Sequence, residues 1–85
     1  MSNADVKKNF SLSAAFTKYV VKNPDVLDGV PKGACIVFTV KSDPSLTKKN
    51  QRLAEEVMQR SKKPCYKAEK IGSAWRVMRL SRSGV

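Results

Sequence analysis

Chemistry on this 85-residue chain would have to come from seven carboxylates, seventeen Lys and Arg side chains and two cysteines, because it has no histidine. Histidine is the commonest general base and the commonest metal ligand, so its absence removes the usual routes to both. The carboxylates are left as the acid–base candidates. Glu55 and Glu56 are neighbours on a helical stretch and point about 100° apart, so they do not converge. Each suits an ordinary surface pair, Glu56 with Arg52 or Arg60 and Glu55 with Arg52. Asp43 reads as a helix cap, and Asp25 and Asp28 suit a short turn. There is no nucleophile elbow, no glycine loop for phosphates and no carboxylate cluster for a metal. No catalytic residue, metal site or cofactor is therefore assigned, and catalysis is not expected.

Cys35 and Cys65 lie 30 residues apart, each in an apolar stretch and neither in a C-x-x-C pair. They read as buried free thiols acting as small hydrophobes, with a disulfide between neighbouring strands as the alternative. No apolar run nears the roughly 18 residues of a membrane span, and Met1–Phe10 is polar, unlike a signal peptide. A cytoplasmic protein is expected.

The loudest feature is the formal charge of +10. It is uneven: residues 1–44 hold six Lys and four Asp, whereas residues 45–85 hold eleven Lys and Arg against three Glu. Lys48, Lys49 and Arg52 fall near the amino end of a helix, where cations oppose the dipole, a cost that argues against solubility as their whole purpose. Three readings fit the excess: a solvated charged face, a phosphate-backbone footprint, or a surface for an acidic protein or membrane.

Positioning these groups requires a small α/β (α+β) domain. Leu12, Ala15, Phe16, Tyr19 and Val20 recur at helical spacing, giving about three turns capped by Ser11 or Asn9 and stopped by Pro24. Asn23-Pro24 can restart the chain as one short turn closed by Gly29. Ala34–Val40 is β-branched and aromatic, apolar on both faces, and reads as a shielded strand. Asp43-Pro44 opens a second helix whose Leu46, Asn50, Leu53, Ala54, Val57 and Met58 fall within a sector of about 140°, ending near Lys62-Lys63 before Pro64. Cys65–Ile71 and Ala74–Leu80 form a hairpin about Gly72-Ser73, a pair that suits a type II′ turn.

That turn sets Tyr66 opposite Arg79, Ala68 opposite Val77, Glu69 opposite Arg76 and Lys70 opposite Trp75. One hairpin face then carries Tyr66, Ala68, Val77 and Trp75, and is read as core. The other carries Lys67, Glu69 and Arg76 among Cys65, Ile71, Met78 and Leu80, and is read as the solvent side. Tyr66 and Trp75 sit among Lys70 and Arg79, a composition that also suits base stacking, although the register favours the core. The expected order is helix, short helix, strand, helix, strand, strand, with a three-stranded mixed sheet and both long helices on one face. The chain divides into a polar lead over 1–10, one globular domain over 11–80 and a basic tail over 81–85.

Asn50 is the polar residue within the second helix's apolar stripe, and a hydrogen bond to a loop accounts for it, a partner-facing amide being the alternative. Asn9-Phe10-Ser11-Leu12, Phe16-Thr17-Lys18-Tyr19, Asn23-Pro24, Val26-Leu27-Asp28, Val30-Pro31-Lys32-Gly33-Ala34, Asp43-Pro44-Ser45-Leu46, Asn50 and Leu53-Ala54-Glu55 together resemble one family. It is a group of short uncharacterised bacterial and archaeal proteins, a domain of unknown function, and the resemblance spans roughly residues 9–80. These features are mostly caps, turns and core positions, so the resemblance bears on fold and implies no activity.

The leading functional expectation is a non-enzymatic binding module contacting RNA or DNA phosphates with weak sequence selectivity. The residues expected to do so are Lys48, Lys49, Arg52, Arg60, Lys62, Lys63, Lys67, Arg76, Arg79 and Arg82. The alternative is a protein-interaction module that forms a homodimer or meets an acidic protein through Ile71, Met78 and Leu80. A histidine-free RNase or toxin-like enzyme would need basic and acidic side chains converging in a cleft.

Overall fold

The computed structural model describes residues 2–80. Helix α1 (Asn3–Lys22) is followed by a 3-10 turn (Pro24–Leu27), strand β1 (Cys35–Val40), helix α2 (Pro44–Ser61) and strands β2 (Cys65–Ile71) and β3 (Ala74–Arg79). The sheet order is β1-β2-β3, with β1 and β2 parallel and β2 and β3 antiparallel. This is the expected α+β domain with its mixed sheet, joined by a β1–α2–β2 crossover.

The hairpin register is the expected one, with Tyr66 opposite Arg79, Ala68 opposite Val77, Glu69 opposite Arg76 and Lys70 opposite Trp75. Gly72 takes φ +61, and Lys62 is the one non-glycine described with positive φ, so Ser73 is on the negative side. That combination is the type II′ turn, whose first central residue needs glycine.

Helix α1 starts earlier than expected. Ser2 and Asp5 form a capping box: the Ser2 hydroxyl accepts from the Asp5 amide at 3.2 Å and an Asp5 carboxylate oxygen accepts from the Ser2 amide at 3.3 Å. No proline or glycine follows until Pro24, so a helix nucleated at Ser2 runs through the segment read as a polar lead. It stops at Asn23, whose side-chain amide donates to the Tyr19 carbonyl at 3.1 Å.

The two long helices lie on opposite faces of the sheet, not on one. Alternate residues of β1 point to opposite sides. Val37 packs with Ala54, Met58 and Cys65 beneath α2, with Cys35, Val57 and Leu80 around them. Ile36 and Phe38 pack with Phe16, Ala68 and Trp75 beneath α1. Apolar residues on both sides of β1 therefore answer a helix on each side. Ala68, fully buried at the centre of the sheet, leaves the space Phe16 enters. There Phe16 meets Phe38 and Trp75 edge-on, with ring centroids 5.7 and 5.2 Å away, and those two stand 5.8 Å apart. Edge-to-face pairs of this kind add about 0.5–1.5 kcal/mol each beyond area burial.

The hairpin face read as solvent-facing is covered at one end and open at the other. Cys65 is fully buried under α2 and Leu80 packs beside it, whereas Arg76 and Ile71 are exposed. The reason is that α2 packs chiefly on β1 and less on β2, so its shadow does not reach β3. Cys35 and Cys65 are opposite each other across the parallel pair, and both are free thiols. Burial, together with a hydrogen bond from the Cys35 side, pushes the Cys65 thiol up to about 12.

Candidate functional site

Helix α2 carries most of the expected cationic surface. Asp43 caps it by accepting from the Leu46 amide at 3.1 Å, Pro44 sets its first turn, and Lys62 closes it in a left-handed conformation at φ 56. Leu46, Asn50, Ala54 and Met58 form its buried stripe. Lys48 and Arg52, one turn apart, therefore project away from the sheet, and both are exposed. Arg60, Lys62 and Lys63 continue the exposed basic run to the β2 entry. Lys67 is the register partner of Val37, so its side chain also lies on the α2 side of the sheet, half-buried.

The other expected residues are placed differently. Lys49 is half-exposed and its ammonium meets the Asp5 carboxylate at 2.9 Å, so it joins α2 to α1. Arg76 is on the α2 side but is held by Glu69 at 3.2 Å. Arg79 shares its face with Tyr66 and points to the α1 side. Arg82 and the basic tail lie outside the described residues. Among the described residues, Lys48, Arg52, Arg60, Lys62, Lys63 and Lys67 form no ion pair and share the α2 side. Glu55 and Glu56 stand within about one turn of Arg52 and Arg60 on α2 and make no direct bridge to either.

The stacking alternative for the hairpin rings does not hold. Trp75 and Tyr66 are buried, and the Tyr66 hydroxyl donates to the Gly29 carbonyl at 3.5 Å. The exposed ring is Phe10, at 77%. With Val6, four residues before it, and Val21, eleven after, it forms an outward apolar row on α1. The sequence signal was a second helical spacing beside the core stripe, and it goes unread once residues 1–10 are taken as a lead.

Of the expected interaction face, Ile71 is half-exposed at the hairpin tip, Met78 is half-buried and Leu80 belongs to the α2 core. All three lie on the α2 side of the hairpin, with the Glu69–Arg76 pair between Ile71 and Met78.

Asn50 has a structural role. Its amide donates to the Phe38 carbonyl at 2.9 Å and to Asn9 at 2.8 Å, and its oxygen accepts from Asn9 at 3.1 Å. Nearby, the Thr47 hydroxyl accepts from the Val40 amide at 2.8 Å and donates to the Val40 carbonyl at 2.9 Å. These two side chains meet the Phe38 carbonyl and the Val40 amide and carbonyl on the outer edge of β1, which no strand covers among the described residues.

A groove that the sequence did not announce lies at the carboxyl ends of β1 and β2. It measures about 470 Å³ and runs between α1 and the β1–α2 turn, with Lys7, Lys8 and Lys70 at its walls and Leu12, Val40 and Leu46 on its floor. Its acid, Asp43, is fully engaged: one oxygen takes the Leu46 amide and the other meets Lys8 at 2.9 Å. Those contacts, Lys8 foremost, hold the Asp43 carboxyl below its ordinary value, and Asp43 in turn raises Lys8. Among the described residues no three His, Cys, Asp or Glu side chains gather as a metal would need, and no helix is long and apolar enough to cross a membrane.

No curated protein and no solved structure matches the chain. A model of a family of unknown function, DUF5647, matches residues 5–72.

Proposed function

Because the chain belongs to the DUF5647 family, whose function is unknown, no activity comes to it by kinship, and we propose from its surface chemistry that it is a cytoplasmic, non-enzymatic module for nucleic-acid phosphates. The observation that carries this reading is the set of six cations without ion pairs on the α2 side: Lys48, Arg52, Arg60, Lys62, Lys63 and Lys67. Exposed cations gathered on one side of a small domain attract a polyanion, and phosphates are the commonest one. With its hairpin rings buried, the surface has charge to offer and no stacking platform there, so weak sequence selectivity follows.

Salt-titrated binding of short single- and double-stranded DNA and RNA tests this. Log affinity is expected to fall linearly with log salt, at a slope of about −0.9 per phosphate contacted on duplex DNA. Lys48→Glu and Arg52→Glu should weaken binding across all sequences and lower the slope by about one contact each. Absence of binding at low salt, or affinity indifferent to salt, sinks the reading.

Self-association is a second reading, and Phe10 and Val21, each 77% exposed, add an α1 surface to the sheet face on which it was expected. Sedimentation at micromolar concentration decides it: a wild-type dimer that Phe10→Ser dissociates supports it, and a clean monomer removes it.

A further inference from the structure

The groove at the carboxyl ends of β1 and β2 has a composition unlike the α2 surface and shares none of its proposed contact residues. Its floor is apolar, formed by Leu12, Ala15, Val40 and Leu46. Around that floor stand cations and hydroxyls, Lys7, Lys8, Lys70, Ser11 and Ser42. A second hollow of about 360 Å³ shares Val40, Ser42 and Lys70 with it and adds Lys41. Four lysines and one aspartate thus meet here, a net +3, and Asp43 is already spent on Lys8 and on the α2 cap. Lys7, Lys41 and Lys70 form no ion pair among the described residues.

Concave walls of one charge sign raise the local concentration of the opposite sign. Inorganic anions would use the lysines and leave the floor wet; an apolar molecule would use the floor and leave the lysines unanswered. A ligand that satisfies both carries an anionic head and an apolar body. The position agrees, since ligands of open α/β sheets collect beyond the carboxyl ends of parallel strands, and the groove volume falls in the range of small-molecule clefts.

We propose that this groove binds a small amphipathic anion, a carboxylate or phosphate monoester on a short alkyl or aryl body, with the head at Lys7 and Lys70 and the body on Leu12, Val40 and Leu46. Lys8 stays with Asp43 and frames the wall. The proposal stands apart from nucleic-acid binding, because Lys7, Lys41 and Lys70 are not among the six cations on the α2 side.

The test is a titration of the full chain with n-hexyl phosphate, followed by amide chemical shifts, with inorganic phosphate and n-hexylamine as controls. Saturable shifts are expected at Ser11, Leu12, Ser42 and Lys70, with hexyl phosphate at least about tenfold tighter than inorganic phosphate. Lys70→Glu and, separately, Lys7→Glu should each weaken it by about tenfold while leaving the remaining amide spectrum in place, two exposed or half-exposed sites guarding against a folding artefact. Equal response to inorganic phosphate or hexylamine overturns the proposal. So does the absence of saturation at millimolar ligand, or shifts centred on Lys48 and Arg52.

Discussion

Asn9 and Asn50, 41 positions apart, exchange two side-chain hydrogen bonds of 3.1 and 2.8 Å, and the Asn50 amide also donates to the carbonyl of Phe38. One pair of amides thereby ties α1, α2 and β1 together. Asn50 is almost wholly buried, and its removal takes two hydrogen bonds from Asn9 and one from a strand carbonyl. Asn50→Ala is expected to cost about 2–3 kcal/mol in urea unfolding and Asn9→Ala about 1 kcal/mol. A double-mutant cycle should return a coupling of about 0.5–1.5 kcal/mol. Strict additivity would show that the exchange contributes nothing beyond its members.

Acid should loosen the same junction. The Lys49 ammonium, followed by the Ser2 contacts, holds the Asp5 carboxyl below its ordinary 3.8, and Lys8 with the Leu46 amide does so for Asp43. A folded pKa below the unfolded one gives stability that is present above about pH 4 and lost as pH falls through the depressed values. Asp5→Asn and Asp43→Asn should therefore unfold at lower urea than wild type at pH 7. The difference should shrink as pH falls below 3.8. Asparagine still caps a helix, so the Asp43 variant isolates the ion pair with Lys8. Parallel midpoint curves at every pH would refute the linkage.

Thr39 offers a stabilising change. It is buried on the α2 side of β1, and its hydroxyl has no hydrogen-bond partner. Replacing an unsatisfied hydroxyl by a methyl of the same shape removes a desolvation cost, so Thr39→Val should raise stability by about 1 kcal/mol, read from the urea midpoint. An unchanged or lower midpoint would mean that the hydroxyl is served.

Lys62 stabilises nothing by its conformation. At φ 56 it closes α2 where glycine is normally found, and a side chain in that region costs roughly 1–2 kcal/mol. Lys62→Gly is expected to raise the unfolding midpoint by about 1 kcal/mol while reducing the salt slope of nucleic-acid binding by about 0.9 if Lys62 meets a phosphate on duplex DNA. Stability and affinity moving in opposite directions is the signature, and thermal melts beside binding isotherms read it.

Legibility followed locality. Cap-plus-proline at Asp43-Pro44, the β-branched run to Val40 and the Gly72-Ser73 turn are signals written in adjacent residues, and each element formed where they place it. The start of α1 was also written locally, as Ser2 and Asp5, but with aspartate where a capping box usually has Glu or Gln. Phe10 and Val6 blurred it further, being apolar positions that the core does not use. Which face each helix takes was not local. It depends on Ala68 being small enough to admit Phe16 between Phe38 and Trp75, a relation among four separate elements. The Glu69 partner of Arg76 followed from the turn register, whereas Asp5, the partner of Lys49, comes from the tertiary fold. The groove beside Lys70 is likewise assembled from α1, the β1–α2 turn and β2, and no contiguous motif marks it.

Thr47 and Asn50 occupy the outer backbone of β1 at Phe38 and Val40, whereas β3 is the opposite border of the sheet and, among the described residues, has no strand beyond it. Strand addition is consequently favoured at β3 over β1. Side chains that occupy part of one border make it a poorer template for a further strand than the other, and so bias edge-to-edge pairing toward β3.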